Sequence, residues 1–374
     1  MTLLDDLRIS TDAPVRMCAD AVAPGADLLI AEVLASGRLA QGPKVEAFEA
    51  ACAEMAGTDH AVAVTNGTVS LELLIAALGI GAGDEVIVPA FTFAASASAV
   101  LRAGASVQLV DIAADGTIDV DAVSAAISPR TAAVMAVHLY GLPADLVELT
   151  DLCEAHGIAL IEDAAQAHGA RVAERPVGGW GHGSFSFYAT KNVSCGEGGV
   201  VTTNDADVAH RVRLLRNQGM VVRHQHELVG TNNRLSELHA ALGLASIRQL
   251  PVNADRRRRH AAQLSACFSR SSLTVPAEPA GREHAWHQYT VRHPERDRIA
   301  AALADQQIET GIHYPRPVHH HPVFADHPDV VADDCPRAVE LASTCLSLPA
   351  HHDLSVLEID RVATATLRAL EAIR

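Results

Sequence analysis

Lysine is nearly absent from this chain: of its 29 Lys and Arg residues only Lys44 and Lys191 are lysines. Lys191 sits in SFSFYATKN (184–192), followed at once by SCGEGG (194–199). Arginine stays protonated and cannot act as a nucleophile at neutral pH, whereas a lysine in an apolar site can lose its proton. A lysine at the end of an apolar, aromatic strand beside a glycine turn is a candidate Schiff-base former. Ser186 precedes it by five residues, close enough across a strand-end turn for both to reach one ligand.

Two further constellations precede it. HAVAV (60–64) runs into TNGT (65–68) and then a helix-like stretch. A strand, a glycine turn and a helix N-terminus present open backbone N–H groups and a positive dipole end to an anion. Thr68 serves there as helix cap or as phosphate ligand, and taken alone the turn is better explained as an ordinary capped helix start. In IEDAAQAHGA (161–170) an apolar strand ends on Asp163, at the edge where parallel sheets bind ligands. That carboxylate can hold a pyridinium N–H, or it can cap the next helix. Glycine turn, strand-end Asp and strand-end Lys, in that order, are the parts a pyridoxal phosphate enzyme needs: phosphate anchor, ring-nitrogen partner and Schiff-base amine.

These residues need a scaffold that places strand ends side by side. Apolar runs recur at HAVAV (60–64), DEVIVPA (84–90), SVQLVDI (106–112), TAAVMAVHL (131–139), GIALIEDA (157–164), SFSFY (184–188) and GVVTTN (199–204). Runs without polar alternation indicate strands buried on both faces of a mostly parallel sheet. Helix-like stretches between them make the fold class α/β, doubly wound. At 374 residues the chain exceeds the roughly 250–300 at which one core divides. The pattern changes near residue 245, so we expect a large α/β domain over 1–245, with an N-terminal arm, and a small α+β domain over 246–374. In the latter, 235–270 reads as one long or broken helix interrupted at Pro251, 287–292 and 310–315 as strands, and 296–309 and 354–373 as helices.

A net charge of −16 argues against nucleic acid or an anionic membrane as partner. Seven scattered cysteines without a CxxC pair, and no signal peptide in MTLLDDLRIS, fit reduced thiols in the cytoplasm. No apolar run reaches the roughly 18 residues of a membrane span.

The chain resembles the DegT/DnrJ/EryC1/StrS family of pyridoxal phosphate-dependent sugar aminotransferases, of fold type I. The motifs run from GRLAQGPKVEAFE (37–49) through TNGTVSLELLIAAL, GDEVIVPAFTFAAS, HLYGLPAD, IEDAAQAHGA, FSFYATKN and GEGG to HYPRPVHHHPVF (313–324). The resemblance implies that Lys191 forms the Schiff base and that Asp163 pairs with the pyridine nitrogen. It implies Gln166 on the phenolic oxygen and Phe93 on the ring face, with Gly67, Thr68 and Ser186 holding the phosphate. Asn232 would reach the neighbouring subunit's phosphate, which makes the unit a homodimer; Asn233 stands where the family more often has an aromatic residue. The implied reaction is ping-pong transfer of an amino group from L-glutamate or glutamine to a keto-sugar, above all a nucleotide-linked 4-keto-6-deoxy sugar, in deoxyamino-sugar biosynthesis. SCGEGG resembles members that aminate C4 more than C3. The other readings are amination of a keto-cyclitol, a pyridoxamine-dependent dehydratase (which carries histidine in place of the lysine), and a non-catalytic pyridoxal phosphate-binding regulator.

His319, His320 and His321 are consecutive and cannot converge on a tetrahedral metal, so no metal is expected. The resemblance makes their loop the rim of the substrate site, with Tyr314 and His319 as substrate contacts. The run RRRR (256–259) reads as a solvated helix face. Lys44 reads as structural or rim, and Cys195 as packing.

Overall fold

The computed structural model describes residues 13–19 and 22–373. Eight strands form its main sheet, in the order His60–Val64, Gly199–Thr203, His182–Ser186, Ala159–Asp163, Thr131–Val137, Glu85–Pro89, Ser106–Val110 and Val330–Ala332. The six strands from His182–Ser186 to Val330–Ala332 are parallel, and Gly199–Thr203 runs antiparallel to both its neighbours. Helices cover both faces, which is why the strands read as continuous apolar runs. Gly67–Ala77, Ala94–Arg102 and Ala206–Leu215 close one face through Leu74, Val100 and Val212. Pro43–Ala56, Leu146–His156 and the start of a long helix close the other through Phe48, Leu149 and Leu244.

That long helix, Glu237–Phe268, runs for 32 residues through Pro251 without a break. At about 1.5 Å per residue it spans roughly 48 Å. It passes straight through residue 245: Ala240 and Leu244 pack into the sheet core, while Ala261, Leu264 and Phe268 pack into a separate cluster. This second unit pairs Tyr289–Arg292 antiparallel with Cys345–Leu348 and carries Arg296–Ala304 and Val356–Ala372. Ser355 and Glu358 form a capping box at the start of the last helix. The chain beyond 245 also returns to the large sheet: Val318, Phe324, Cys335 and Ala338 join its core, and Val330–Ala332 adds its edge strand. The expected strand at 310–315 is absent; only Gly311 bridges to Ser347.

Lys44 begins the helix Pro43–Ala56, where the N-cap Gly42 has no side chain to offer. Glu237 supplies the cap instead, accepting the N–H of Lys44 at 3.0 Å and of Val45 at 2.8 Å. The Lys44 amine pairs with Glu32. Among the described residues no helix is long and apolar enough to cross a membrane, and no group of three or more His, Cys, Asp or Glu could hold a metal ion.

Candidate active site

The site is assembled at the carboxyl ends of the parallel strands. After His60–Val64, Asn66 caps the next helix, its Oδ1 accepting the Val69 N–H at 2.9 Å. Gly67 and Thr68, first in that helix, have no i−4 carbonyl within it and are available to an anion. Gly67 is a requirement of close approach: a Cβ there would lie 2.6 Å from Ser186 Cβ. Gly199 is required similarly, since its Cβ would fall 2.1 Å from the Asn66 oxygen. The strand His182–Ser186 ends on that serine, so Lys191 lies in the turn beyond, with its N–H on the Tyr188 carbonyl at 2.9 Å. We expect Gly67→Ala to loosen pyridoxal phosphate by about 5- to 150-fold, the equivalent of the roughly 1–3 kcal/mol that overpacking typically costs. Titration of the apoprotein by visible absorbance measures this; wild-type affinity would remove Gly67 from the cradle.

Asp163 ends its strand buried. Its Oδ2 accepts the Ser96 hydroxyl at 2.8 Å, Ser96 in turn contacts Thr92 Oγ1 at 2.9 Å, and the Ala165 N–H reaches Oδ1 at 3.3 Å. The PAFTFAAS segment thus aims this carboxylate, through hydroxyls four residues apart that the sequence reading passed over. Among the described residues Lys191 has no ion pair, and burial holds its amine below the ordinary lysine range although Asp163 pulls the other way. Three histidines share this environment. His168, edge-on to Phe187 at 4.9 Å, is pushed down to about 3 by burial and then by Lys191. His287 and His313 are lowered by the same two causes in the same order. Lysine and imidazoles alike are therefore pressed toward their uncharged forms.

Gln166 bridges two elements: its Oε1 accepts the Tyr140 N–H at 2.6 Å, and its Nε2 donates to the Tyr314 hydroxyl at 3.0 Å. The Tyr140 hydroxyl donates to the His313 carbonyl. Burial, then Asp163, push the Tyr314 phenol upward. Phe93 is 56% exposed, with its ring 5.8 Å from that of Tyr314. A cavity of about 890 Å³ brings together Gly67, Thr68, Phe93, Asp163, Gln166, Ser186, Lys191 and Tyr314.

Two sequence candidates do not line this cavity. Asn232 is exposed and bridges to Asn217, whereas Asn233 lines the wall and accepts the Thr65 N–H on its carbonyl at 3.1 Å. His319 packs against His320 with ring centroids 4.3 Å apart; the histidine of that loop that lines the cavity is His313, six residues earlier. His287 and Gln288 line it too, although HQYTVR gave no sign beyond its strand pattern. The arginine run is not uniformly solvated. Arg257 is buried and donates to the carbonyls of Trp286 at 3.1 Å and His287 at 3.3 Å, and burial lowers its guanidinium to about 10. Cys195 is buried, its thiol pushed up to about 12 by burial and then by Glu197, as a packing residue would be.

Comparison with known proteins identifies the family. Residues 26–367 match the model of the DegT/DnrJ/EryC1/StrS aminotransferase family. The chain is 42% identical over 352 residues to dTDP-3-amino-3,4,6-trideoxy-alpha-D-glucose transaminase of Streptomyces venezuelae, covering 93% of this chain and 91% of the relative. It is 40% identical over 346 residues to UDP-N-acetyl-3-dehydro-alpha-D-glucosamine 3-aminotransferase of Acidithiobacillus ferrooxidans, covering 91% and 92%. The crystal structure of S. venezuelae DesV in complex with a ketimine intermediate superposes with a TM-score of 0.89 at 42% identity, covering 92% of this chain and 94% of that one. A chain matched across nearly its whole length, with the lysine, carboxylate and glycine cradle in one cavity, belongs to the DegT/DnrJ/EryC1/StrS aminotransferase family.

Proposed function

We propose that this aminotransferase moves an amino group from L-glutamate or glutamine to the carbonyl of a nucleotide-linked keto-sugar, using pyridoxal phosphate held through Lys191. The observation that carries the reading is the placement of Lys191, its amine pressed toward the neutral form, in one cavity with the buried Asp163 and the Gly67–Ser186 cradle. Those parts fit the cofactor at three points: an open helix N-terminus and serine for a phosphate, a carboxylate for a ring nitrogen, and Gln166 for a ring oxygen. When bound, the cofactor supplies a protonated ring as an electron sink.

The chain's own residues do the rest. Asp163, aimed by Ser96, would present its carboxylate to the ring nitrogen. Lys191 Nζ is the base and then the acid that carries a proton between carbon centres, a task suited to an amine with a lowered pKa. Gln166, bonded to Tyr314, would hold the ring on the side away from Asp163, and Phe93 would cover a ring face. The cavity lies near the upper end of the roughly 300–1,000 Å³ usual for ligand sites, in keeping with a ligand larger than the cofactor alone. Both relatives described above are named for an amine or dehydro group at C3, so we infer a 3-keto acceptor in preference to the C4 cue drawn from SCGEGG. Asn232 is exposed between the cavity-lining Thr231 and Asn233, in keeping with a homodimer in which it reaches the neighbouring site. Among the described residues no disulfide joins the cysteines, in keeping with a reducing cytoplasm.

The test is spectroscopic. Purified protein with pyridoxal phosphate should absorb in the visible, and glutamate or glutamine should bleach the band. A panel of dTDP- and UDP-linked 3-keto and 4-keto sugars, with a keto-inositol, should then restore it, the 3-keto sugars fastest. A band that neither donor changes would overturn the reading.

A further inference from the structure

Glu162, next to Asp163, is fully buried and takes no part in the chemistry above. Successive strand residues face opposite ways, so when Asp163 faces the cavity Glu162 faces away from it. Its carboxylate meets four donors. Oε1 accepts the N–H groups of Trp180 at 2.8 Å and Gly181 at 3.0 Å; Oε2 accepts that of Gly178 at 2.7 Å and meets His138 Nε2 at 3.2 Å. The tautomer of His138 is set from its other side, where Nδ1 accepts the Ala144 N–H at 3.1 Å; the ring proton therefore lies on Nε2, pointing at Glu162. Burial pushes the carboxyl up, yet the His138 bond and the N–H groups of Gly178 and Gly181 outweigh it and hold it below its ordinary value.

The four donors come from two segments that carry opposite ends of the site. The turn through Gly178 and Gly181 leads directly into the strand that ends on Ser186, at the phosphate cradle. The turn from His138 to Ala144 carries Tyr140, whose N–H holds Gln166. The third segment is Glu162's own strand, where the Asp163 carbonyl accepts the His138 N–H at 3.1 Å. We propose that Glu162 is a positioning residue that sets the cradle at Ser186 in register with Asp163 and Gln166, so that one cofactor can span both; the role rests on the cofactor reading above.

A carboxylate is required because it alone of the side chains of this size offers four acceptor positions and no donor. In Glu162→Gln the amide NH₂ must face either two backbone N–H groups, or one N–H group and the His138 proton. Swapping the histidine tautomer cannot relieve this, because Nδ1 already faces the Ala144 N–H.

The experiment compares pyridoxal phosphate dissociation from the wild-type holoenzyme and from Glu162→Gln by visible absorbance, alongside thermal midpoints. Loss of an outer partner behind a metal ligand typically costs about 10–100-fold in affinity, and we expect a loosening of the same order here. Leu149→Ala, a core truncation away from the cavity, should lower the thermal midpoint yet hold the cofactor within about twofold of wild type. Wild-type affinity in Glu162→Gln, or equal loosening in Leu149→Ala, would overturn the role. Should Glu162→Gln not accumulate folded, His138 decides. His138→Gln can still donate to Glu162 and accept from Ala144, and should retain the cofactor. His138→Leu should release it several-fold faster, and equal rates would overturn the proposal. If wild type itself takes up no pyridoxal phosphate, the cofactor reading falls and this role falls with it.

Discussion

Borohydride reduction of the protein loaded with pyridoxal phosphate will place the label on Lys191 and leave Lys44 unmodified. With only two lysines in the chain, peptide mapping answers the question without ambiguity. The two amines differ physically: Lys44 is held by Glu32, whereas Lys191 has no ion pair among the described residues and is lowered by burial. Lys191→Ala should abolish the label and reduce turnover by about 10⁴-fold or more, since one variant removes both nucleophile and proton carrier. Near wild-type turnover in that variant would sink the mechanism. The lowered pKa also has a signed consequence for stability. An unfolded lysine titrates at about 10.4, so between the folded value of Lys191 and that point the unfolded chain binds the additional proton. The apoprotein should therefore gain stability as pH rises through that window, and Lys191→Met should flatten the rise. Chemical denaturation across the range measures it.

Asp163→Asn should retain pyridoxal phosphate within about tenfold while turnover falls by about 10²–10³-fold, the loss usual for one preorganised electrostatic partner. The amide oxygen can keep the Ala165 N–H while its NH₂ donates to Ser96 Oγ, whose hydroxyl turns to Thr92, so the packing is kept. On the proposed reading, what is lost is the carboxylate that would hold a ring nitrogen in its protonated form. Single-turnover bleaching by glutamate separates this from a binding defect: the amplitude should persist while the rate collapses. An unchanged rate would remove Asp163 from its assigned place.

The residues that could be read without the structure share a local signal. Gly67, Asp163, Ser186 and Lys191 each lie at or just beyond the end of an apolar run, and parallel strand ends are where such folds bind ligands. The ones missed depend on contacts between distant segments. Nothing in HYPRPVHHHPVF tells His313 from His319; the bond from His313 to Ser347 at 3.1 Å and the Tyr140 hydroxyl on its carbonyl place it at the cavity. RRRR has no internal mark of its buried member, which is set by the carbonyls of residues 286 and 287. Pro251 read as a possible break, but packing on both cores outweighs one missing backbone hydrogen bond. The strand expected at 310–315 lacked an edge to pair with beyond the single bridge at Gly311.

By itself the amino-acid sequence determined the order of the main strands up to residue 204, the doubly wound class and the chemical types gathered at strand ends, because periodicity and turn chemistry are properties of neighbouring residues. The tertiary structure alone decided which of two histidines and which of two asparagines face the cavity. It also decided that Glu162 is tied to His138 and to the turn ahead of Ser186. Those outcomes depend on which distant backbone donors a buried group meets, and burial leaves an unpaired polar group too costly for the arrangement to be arbitrary.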